Sequence, residues 1–293
     1  MQLAAVQRNY APRAGGVVDP AKVVDYIGGY PSTVAAAQTQ AFSANPPKYA
    51  EKQKAENDRK TDSWLLPLIR DLGARRVLDA GCGVGQTVER LVEHGVDAYG
   101  FDLLENVKYW QGYGRRPDRY VVTAPVDPVL PYADGAFDFV FSFGVIEHVG
   151  TSDGDTTRLS DYDDIRRRWV AELLRVVRPG GSLLLAGPNK NFPIDVAHGP
   201  DSQASGLEKW LARKVKLTLH KPFGPNFLWG YDDVERYVAG ASTSIEALSI
   251  DNFIYFGRVP KPVKALAETY VRRLPSALLK TGFNPWVAAL VTK

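Results

Sequence analysis

Three glycines at alternate positions, Gly81, Gly83 and Gly85, lie within the run Asp79-Ala80-Gly81-Cys82-Gly83-Val84-Gly85. Without Cβ atoms they let a backbone turn sharply and approach a ligand closely. The residues that follow, Gln86–His94, carry Val88, Leu91 and Val92 at helical spacing. A helix N-terminus with free N–H groups would therefore point at whatever the loop holds, which suits a carboxylate or a phosphate. Asp102 ends the next apolar run, about 20 residues on, where an acid can grip a ribose diol; its plainer role would be a helix cap. The spacing separates two ligand classes. A dinucleotide loop reads G-x-G-x-x-G and cradles a pyrophosphate. Here Gly85 comes one residue early and Asp79 precedes the first glycine. A carboxylate repels a pyrophosphate and attracts an ammonium. A ligand uniting a ribose, an amino group and a carboxylate fits better than a nicotinamide dinucleotide. Cys82 sits inside the loop, and its small size is the simplest reason for it.

Four histidines are available as proton acceptors: His94, His148, His198 and His220. A histidine near neutral pKa is the usual acceptor when an oxygen nucleophile must lose its proton. His94 ends the helix after the glycine loop and reads as a cap. His220 lies between Lys216 and Lys221 and reads as a surface residue. His148 follows the apolar run Phe137–Phe143, at the carboxyl edge of a strand, where ligands bind in open α/β sheets. It is the candidate catalytic base; in the alternative, Glu147-His148 only closes a strand–helix turn. Asp195 and His198 are weaker candidates. Asp153, Asp155, Asp161, Asp163 and Asp164 form an acidic run that matches no calcium loop. It reads as a solvated loop leading into a helix N-terminus, and no metal site is expected.

These residues need a scaffold, and the surrounding pattern supplies one. Val77–Ala80, Ala98–Phe101, Tyr120–Val122, Phe137–Phe143 and Ser182–Ala186 are short apolar runs. Between them lie amphipathic segments, Gln86–His94 and Ile165–Val177, the second with Ile165, Trp169, Leu173, Val176 and Val177 on one face. Continuous apolar strands alternating with helices imply a doubly wound, mostly parallel sheet covered on both faces. Upstream, Lys48–Leu72 has helical spacing, and the first 47 residues read as an irregular arm with one helix over Val34–Phe42. Downstream, 188–230 is aromatic and rich in Pro and Gly, with a helix over Leu207–Leu219; a structureless loop of that length would be improbable inside a domain, so it reads as a cap or lid over an acceptor site. Trp210, Phe223, Phe227, Trp229 and Tyr231 would line an apolar acceptor pocket or form the cap's own core. Asp232-Asp233-Val234-Glu235 resembles a capping box, Ser244–Phe256 a sixth strand, Val263–Lys280 a basic helix and Pro285–Thr292 a last strand. The expected organisation is an arm over 1–47, a cofactor-binding core over 48–187, the cap over 188–230, and the rest of the core with its basic helix over 231–293.

Composition narrows the function. Of 293 residues 45% are hydrophobic and 24% charged, an ordinary globular balance. A net charge of +3 predicts no polyanionic partner, so no nucleic acid is expected. One cysteine excludes an intramolecular disulfide and a cysteine-based zinc site. The opening residues lack the apolar core of a signal peptide, and no apolar run reaches the ~18 residues of a membrane span, so the expected location is the cytoplasm. The stretch 258–293 carries seven basic residues and one acid, Glu268. It would suit an anionic membrane surface, but a basic solvent face on a packed helix is the simpler expectation.

Four stretches carry a family resemblance. Val77–Gln86 (VLDAGCGVGQ) resembles the first motif of class I S-adenosylmethionine-dependent methyltransferases. Leu130–Asp138 (LPYADGAFD), Val145–Val149 (VIEHV) and Leu174–Leu185 (LRVVRPGGSLLL) resemble three further motifs of that family, in its order. The resemblance spans about 62–188, and more weakly 231–293, and implies a Rossmann-like fold of seven strands, the last antiparallel. It also implies that Asp79, Gly81, Cys82, Gly83 and Gly85 shape the pocket for the methionine end of the cofactor, and that Asp102 binds the ribose hydroxyls, with Leu103 beside the adenine. Asp127 would lie near the adenine, although the family's acid falls one residue earlier, at Val126. Ser142 and Phe143 would border the methionine moiety, Phe143 lending an aromatic face to the sulfonium. The implied activity is methyl transfer from S-adenosylmethionine, leaving S-adenosylhomocysteine, to a small-molecule, glycan- or lipid-linked acceptor, most simply at oxygen. A nicotinamide-dependent oxidoreductase and a non-catalytic S-adenosylmethionine-binding protein are the rival readings.

Overall fold

The computed structural model describes residues 46–103, 106, 109, 110, 113, 115, 116, 119–123, 129–152, 156–195, 198–215, 218–220, 227–241, 244–253 and 261–293. The arm expected over 1–47 lies outside these residues except for Pro46 and Pro47, which open a helix rather than end an arm; the helix expected over Val34–Phe42, the adenine candidates Val126 and Asp127, and Phe223 also lie outside them.

Seven strands form one sheet in the order β3-β2-β1-β4-β5-β9-β8. They are β1 (Arg76–Ala80), β2 (Asp97–Asp102), β3 (Tyr120–Val122), β4 (Phe137–Phe143), β5 (Val177–Pro188), β8 (Ser244–Ala247) and β9 (Trp286–Thr292). The sheet is mostly parallel, as the unbroken apolar strands required, and β8 pairs antiparallel with β9. Two short strands, β6 (Ile194–Asp195) and β7 (Thr218–Leu219), pair antiparallel in a sheet of their own. Among the described residues no helix is long and apolar enough to cross a membrane.

The chain divides into two compact units, and each is best taken alone. The first runs to Ser142 and adds Ala171–Leu183 and Lys293. It begins with α1 (Pro46–Lys60), a single π-helical turn over Thr61–Leu65, and α2 (Leu66–Asp71). The sequence predicts one helix here. The structure interrupts it, with the Leu66 N–H bonded back to the Thr61 carbonyl, and the apolar residues Leu65, at the end of the turn, and Leu66 and Ile69, beyond it, are buried. The π turn places Asp62 against α3 (Gln86–Glu93), where both carboxylate oxygens take the Arg90 guanidinium at 2.9 and 2.8 Å. β1 pairs in register with β2 and β4, and β2 with β3.

The second unit holds Phe143–Val170 and Leu184–Thr292. Its helices are most of α4 (Tyr162–Val176), α5 (Gly206–Val215), α6 (Tyr231–Tyr237) and α7 (Lys261–Arg272). Several boundaries differ from expectation, each for a local reason. The strand expected over Ser244–Phe256 ends at Ala247, and the chain turns where the Asp251 side chain accepts the Asn252 N–H at 3.0 Å. The basic helix stops at Arg272 and gives way to a 3-10 turn after Pro275, which cannot continue an α-helix. The cap helix ends at Val215, and Thr218 turns to β pairing. The capping box expected at Asp232–Glu235 is shifted: Gly230 is the N-cap, and its N–H donates to the Asp233 carboxylate at 2.8 Å.

Candidate functional site

The glycine loop belongs to the first unit. Gly81, Gly83 and Gly85 take φ values of 88°, 53° and 77°, a left-handed region where a side chain would be strained. The Gly81 and Cys82 N–H groups both donate to the Phe101 carbonyl at 3.0 Å, tying the loop's start to β2. Gly85 is the N-cap of α3 and donates to the Cys82 carbonyl at 2.9 Å. A Cβ on Gly85 would stand 2.7 Å from the Tyr120 hydroxyl, which donates to the Gly85 carbonyl (3.0 Å) and meets Glu89 (2.9 Å). Trp110 stacks on Tyr120 at 4.9 Å and donates its indole N–H to the Gly83 carbonyl at 2.8 Å. The loop is thus held from both sides by side chains that were not among the sequence candidates.

Asp102 is partly exposed at the end of β2. One carboxylate oxygen accepts the Gly83 N–H at 2.5 Å, the other the N–H of Leu103 at 2.7 Å. Asp102 thus shapes the loop from the end of β2, and a carboxylate is a group that can accept hydrogen bonds from hydroxyls. Cys82 is buried, and a Cβ on Gly100 would stand 2.8 Å from its sulfur. Its side chain fills a slot beneath the loop, and burial raises its thiol pKa well above the ordinary value. Any contact of Cys82 with a ligand in the cradle is left to its backbone. Ser142 is also buried, and its hydroxyl donates to the Ala80 carbonyl at 2.9 Å.

Asp79 is buried, and here the structure adds a residue the sequence reading missed. Lys60, at the end of α1, is the cation beside it. Burial pushes the Asp79 carboxyl up to about 7; the Lys60 charge opposes that rise and the Asp102 charge adds to it. Burial likewise lowers Lys60 to about 8 against the pull of Asp79 and Glu56. The carboxylate expected to answer a ligand's ammonium already faces an ammonium of the chain. No local pattern marks Lys60, because the contact depends on α1 docking across the loop.

A second cluster lies in the other unit, just past β4. Glu147 is fully buried. Its Oε2 accepts the Trp229 indole N–H at 3.3 Å, while its Oε1 finds no hydrogen-bond donor among the described residues. His198 Nε2 stands 3.9 Å from that Oε1, and the rings of His148 and His198 are 5.3 Å apart. His198 Nδ1 meets Asp195 Oδ2 at 2.9 Å, and His220 Nε2 approaches the same oxygen at 3.3 Å. The surface placement expected for His220 is therefore wrong. β7 pairs with β6, so the alternation that buries Thr218 also turns His220 inward, whatever the neighbouring lysines suggest. His94, expected as a cap, is the C-cap of α3 and pairs with Asp62 at 3.3 Å.

Arg166 organises this cluster's backbone. Only 1% exposed, it donates to the carbonyls of Glu147 (2.8 Å), Val149 (3.0 Å) and Phe227 (2.7 Å). The turn that carries Glu147 and His148 is thereby clamped to α4 and to the chain at Phe227. Phe227, Trp229 and Tyr231, offered as pocket lining, are buried core, and Trp210 is half exposed on α5. A Cβ on Gly187 would stand 2.9 Å from Trp229 and 3.0 Å from Glu147 Oε2, so that glycine is what lets the indole reach the carboxylate. Phe143 packs against Phe253 at 5.0 Å.

Residues 78–185 match the methyltransferase domain family. Among curated proteins the chain is 36% identical over 126 residues to the tRNA U34 carboxymethyltransferase of a Geobacter species, covering 41% of this chain and 34% of that one. It is 35% identical over 127 residues to the demethylmenaquinone methyltransferase of Beutenbergia cavernae, covering 42% and 46%. It is 30% identical over 150 residues to the glycine N-methyltransferase of Rattus norvegicus, covering 47% and 48%. The chain spans between a third and a half of the length of these relatives.

Proposed function

We propose that residues 78–185, which match the methyltransferase domain family, are a class I S-adenosylmethionine-dependent methyltransferase domain, and that the protein transfers the methyl group of S-adenosylmethionine to a small organic acceptor, at oxygen. The observation that carries the cofactor half is the Asp102 carboxylate bonded back to the Gly83 N–H, which joins ribose acceptor and glycine loop in one rigid piece. The residues fit the group. The three left-handed glycines place no Cβ atoms at their positions in the loop, the Asp102 carboxylate is an acceptor for hydroxyl groups, and a ligand's ammonium would share the buried Asp79 carboxylate with Lys60. Leu103, next to Asp102, suits the adenine side, and Phe143 remains our candidate for the sulfonium. When bound, the cofactor supplies an electrophilic methyl. The chain's part is to hold the acceptor in line with it, and positioning of this kind accounts for much of the rate in a two-substrate reaction.

The acceptor's proton needs a taker, and we assign that task to the cluster of His148, supported by Glu147 and His198. The relatives' names span tRNA, demethylmenaquinone and glycine, so they do not select an acceptor. A small molecule is our choice because the net charge is only +3. We place the protein in the cytoplasm, where its free Cys82 would stay reduced.

Calorimetric titration with S-adenosylmethionine and, separately, NADH tests the cofactor. The expected result is saturable binding of the first and none of the second; the reverse would overturn the proposal in favour of an oxidoreductase. Transfer of labelled methyl from the cofactor into a cell extract tests the reaction. Label in a low-molecular-weight product supports it, label in RNA removes the small-molecule acceptor, and a protein that binds the cofactor yet labels nothing is the non-catalytic binder.

A further inference from the structure

We infer that Glu147, His148 and His198 form a binding site for a divalent transition-metal cation. One carboxylate oxygen and two imidazole nitrogens from these residues all lie within 4.8 Å of one another. That donor set suits zinc, manganese or ferrous iron better than calcium or magnesium, which favour oxygen ligands throughout.

Three observations separate this cluster from a chance gathering of polar groups. Glu147 is fully buried, with one indole donor on Oε2 and no hydrogen-bond donor for Oε1 among the described residues. A carboxylate removed from water to this degree is short of positive charge. The buried Arg166 guanidinium directs its Nε and Nη2 bonds to three backbone carbonyls rather than to the Glu147 carboxylate. Second, the 3.9 Å between His198 Nε2 and Glu147 Oε1 is too long for a hydrogen bond. It is close to the roughly 3.4 Å that separates two ligands of a tetrahedral ion with bonds of about 2.1 Å. Third, the outer partners are in place. Asp195 holds His198 Nδ1 at 2.9 Å, leaving Nε2 to face Glu147, and Trp229 orients the carboxylate. Metal-bound histidines are normally held by a carboxylate or carbonyl on the far ring nitrogen in this way. Buried Phe227 and Trp229 belong to the same neighbourhood and keep its dielectric low. To close on an ion, donors as far apart as 4.8 Å would draw in by about 1.4 Å to the roughly 3.4 Å of a tetrahedral site, which side-chain torsions allow.

Three protein ligands leave coordination positions for a water or an oxygen of a second molecule. An acceptor hydroxyl bound there would lose its proton more readily, to solvent, so the inference deepens the methyltransferase reading: with the ion in place, His148 would serve as a ligand and the cation would lower the hydroxyl's pKa. Cation binding itself does not depend on that reading.

The test uses the full chain, freed of metal by chelator and dialysis, then titrated with zinc by calorimetry and with cobalt(II) by visible absorption. One equivalent should bind, with cobalt bands of a low-coordinate imidazole site. His198→Ala and Glu147→Gln should each weaken binding tenfold or more, and Asp195→Asn at least tenfold through loss of the outer partner. His94→Gln, outside the cluster, should leave binding unchanged. Circular dichroism of each metal-free variant shows whether it folds; if His198→Ala does not, His198→Gln takes its place. No saturable binding, or equal binding by the folded His198 and Glu147 variants, overturns the inference. S-adenosylmethionine titration of the same samples keeps the two proposals apart. Cofactor binding without metal binding sinks only the metal site, and metal binding without cofactor binding sinks only the methyltransferase.

Discussion

The glycine loop and the Glu147–His148–His198 cluster present opposite ways of building a site. The loop is made by consecutive residues whose types dictate their backbone. Three glycines at positive φ, a strand before and a helix after, set its course, and Asp102, Trp110 and Tyr120 brace it. The cluster draws on residues fifty positions apart, and its geometry depends on strand pairing and on one buried guanidinium. A site encoded in backbone conformation should fail through strain. A site assembled across the chain should fail through loss of its clamp.

The sharpest way to break that contrast is Arg166→Met. It leaves three buried carbonyls without their donor, and each such loss costs about 1–3 kcal/mol. The expected destabilisation is therefore ~3 kcal/mol or more in urea unfolding, with metal affinity lost at denaturant levels that leave cofactor binding intact. Equal loss of both would erase the distinction between the two regions. Next comes Gly85→Ala, which combines a strained φ of 77° with a contact of 2.7 Å to the Tyr120 hydroxyl. About 1–3 kcal/mol of strain should lower cofactor affinity tenfold or more in a binding titration while the cluster still binds its ion.

A third expectation concerns pH. Asp79 has a folded pKa raised to about 7, above the ordinary carboxylate value. Its protonated form is favoured in the fold, so this group stabilises folding at low pH, and that contribution disappears as pH rises through about 7. Binding runs the other way, because only the ionised form attracts the cofactor's ammonium. Affinity should fall up to about tenfold per unit below pH 7, and Asp79→Asn should flatten the profile. A pH-independent affinity in the unmodified protein would remove Asp79 from the site. The smallest effect is Asp62→Asn. The Arg90 hydrogen bonds, the largest cause, hold the Asp62 carboxyl below its usual range. Its stabilisation is present above the unfolded carboxylate pKa and is lost as pH falls through the lower folded value. The pair is solvent-exposed, so thermal unfolding should show only ~0.5 kcal/mol.

The same contrast explains what could be read in advance. β1, β2, β3 and β4 were legible because buried parallel strands are continuous apolar runs, and the glycine loop because it is contiguous. Lys60 was not, since nothing in its neighbourhood of charged residues says which of them will face Asp79. His220 was misread because its lysine neighbours outweighed a two-residue strand whose partner lies more than twenty positions away. Glu147 and Arg166 carried no periodic signal, and their roles follow from burial that only the assembled unit supplies. Trp229 was considered, but its bond to Glu147 depends on the missing Cβ of Gly187.

Asp195 carries one further consequence. A single oxygen, Oδ2, receives Nδ1 of His198 and Nε2 of His220. Each neutral ring must then place its one hydrogen on the nitrogen that meets this atom, so the two imidazoles are locked into opposite tautomers. Long-range nitrogen–proton correlation spectra should show one ring of each kind, and Asp195→Asn should release both at once.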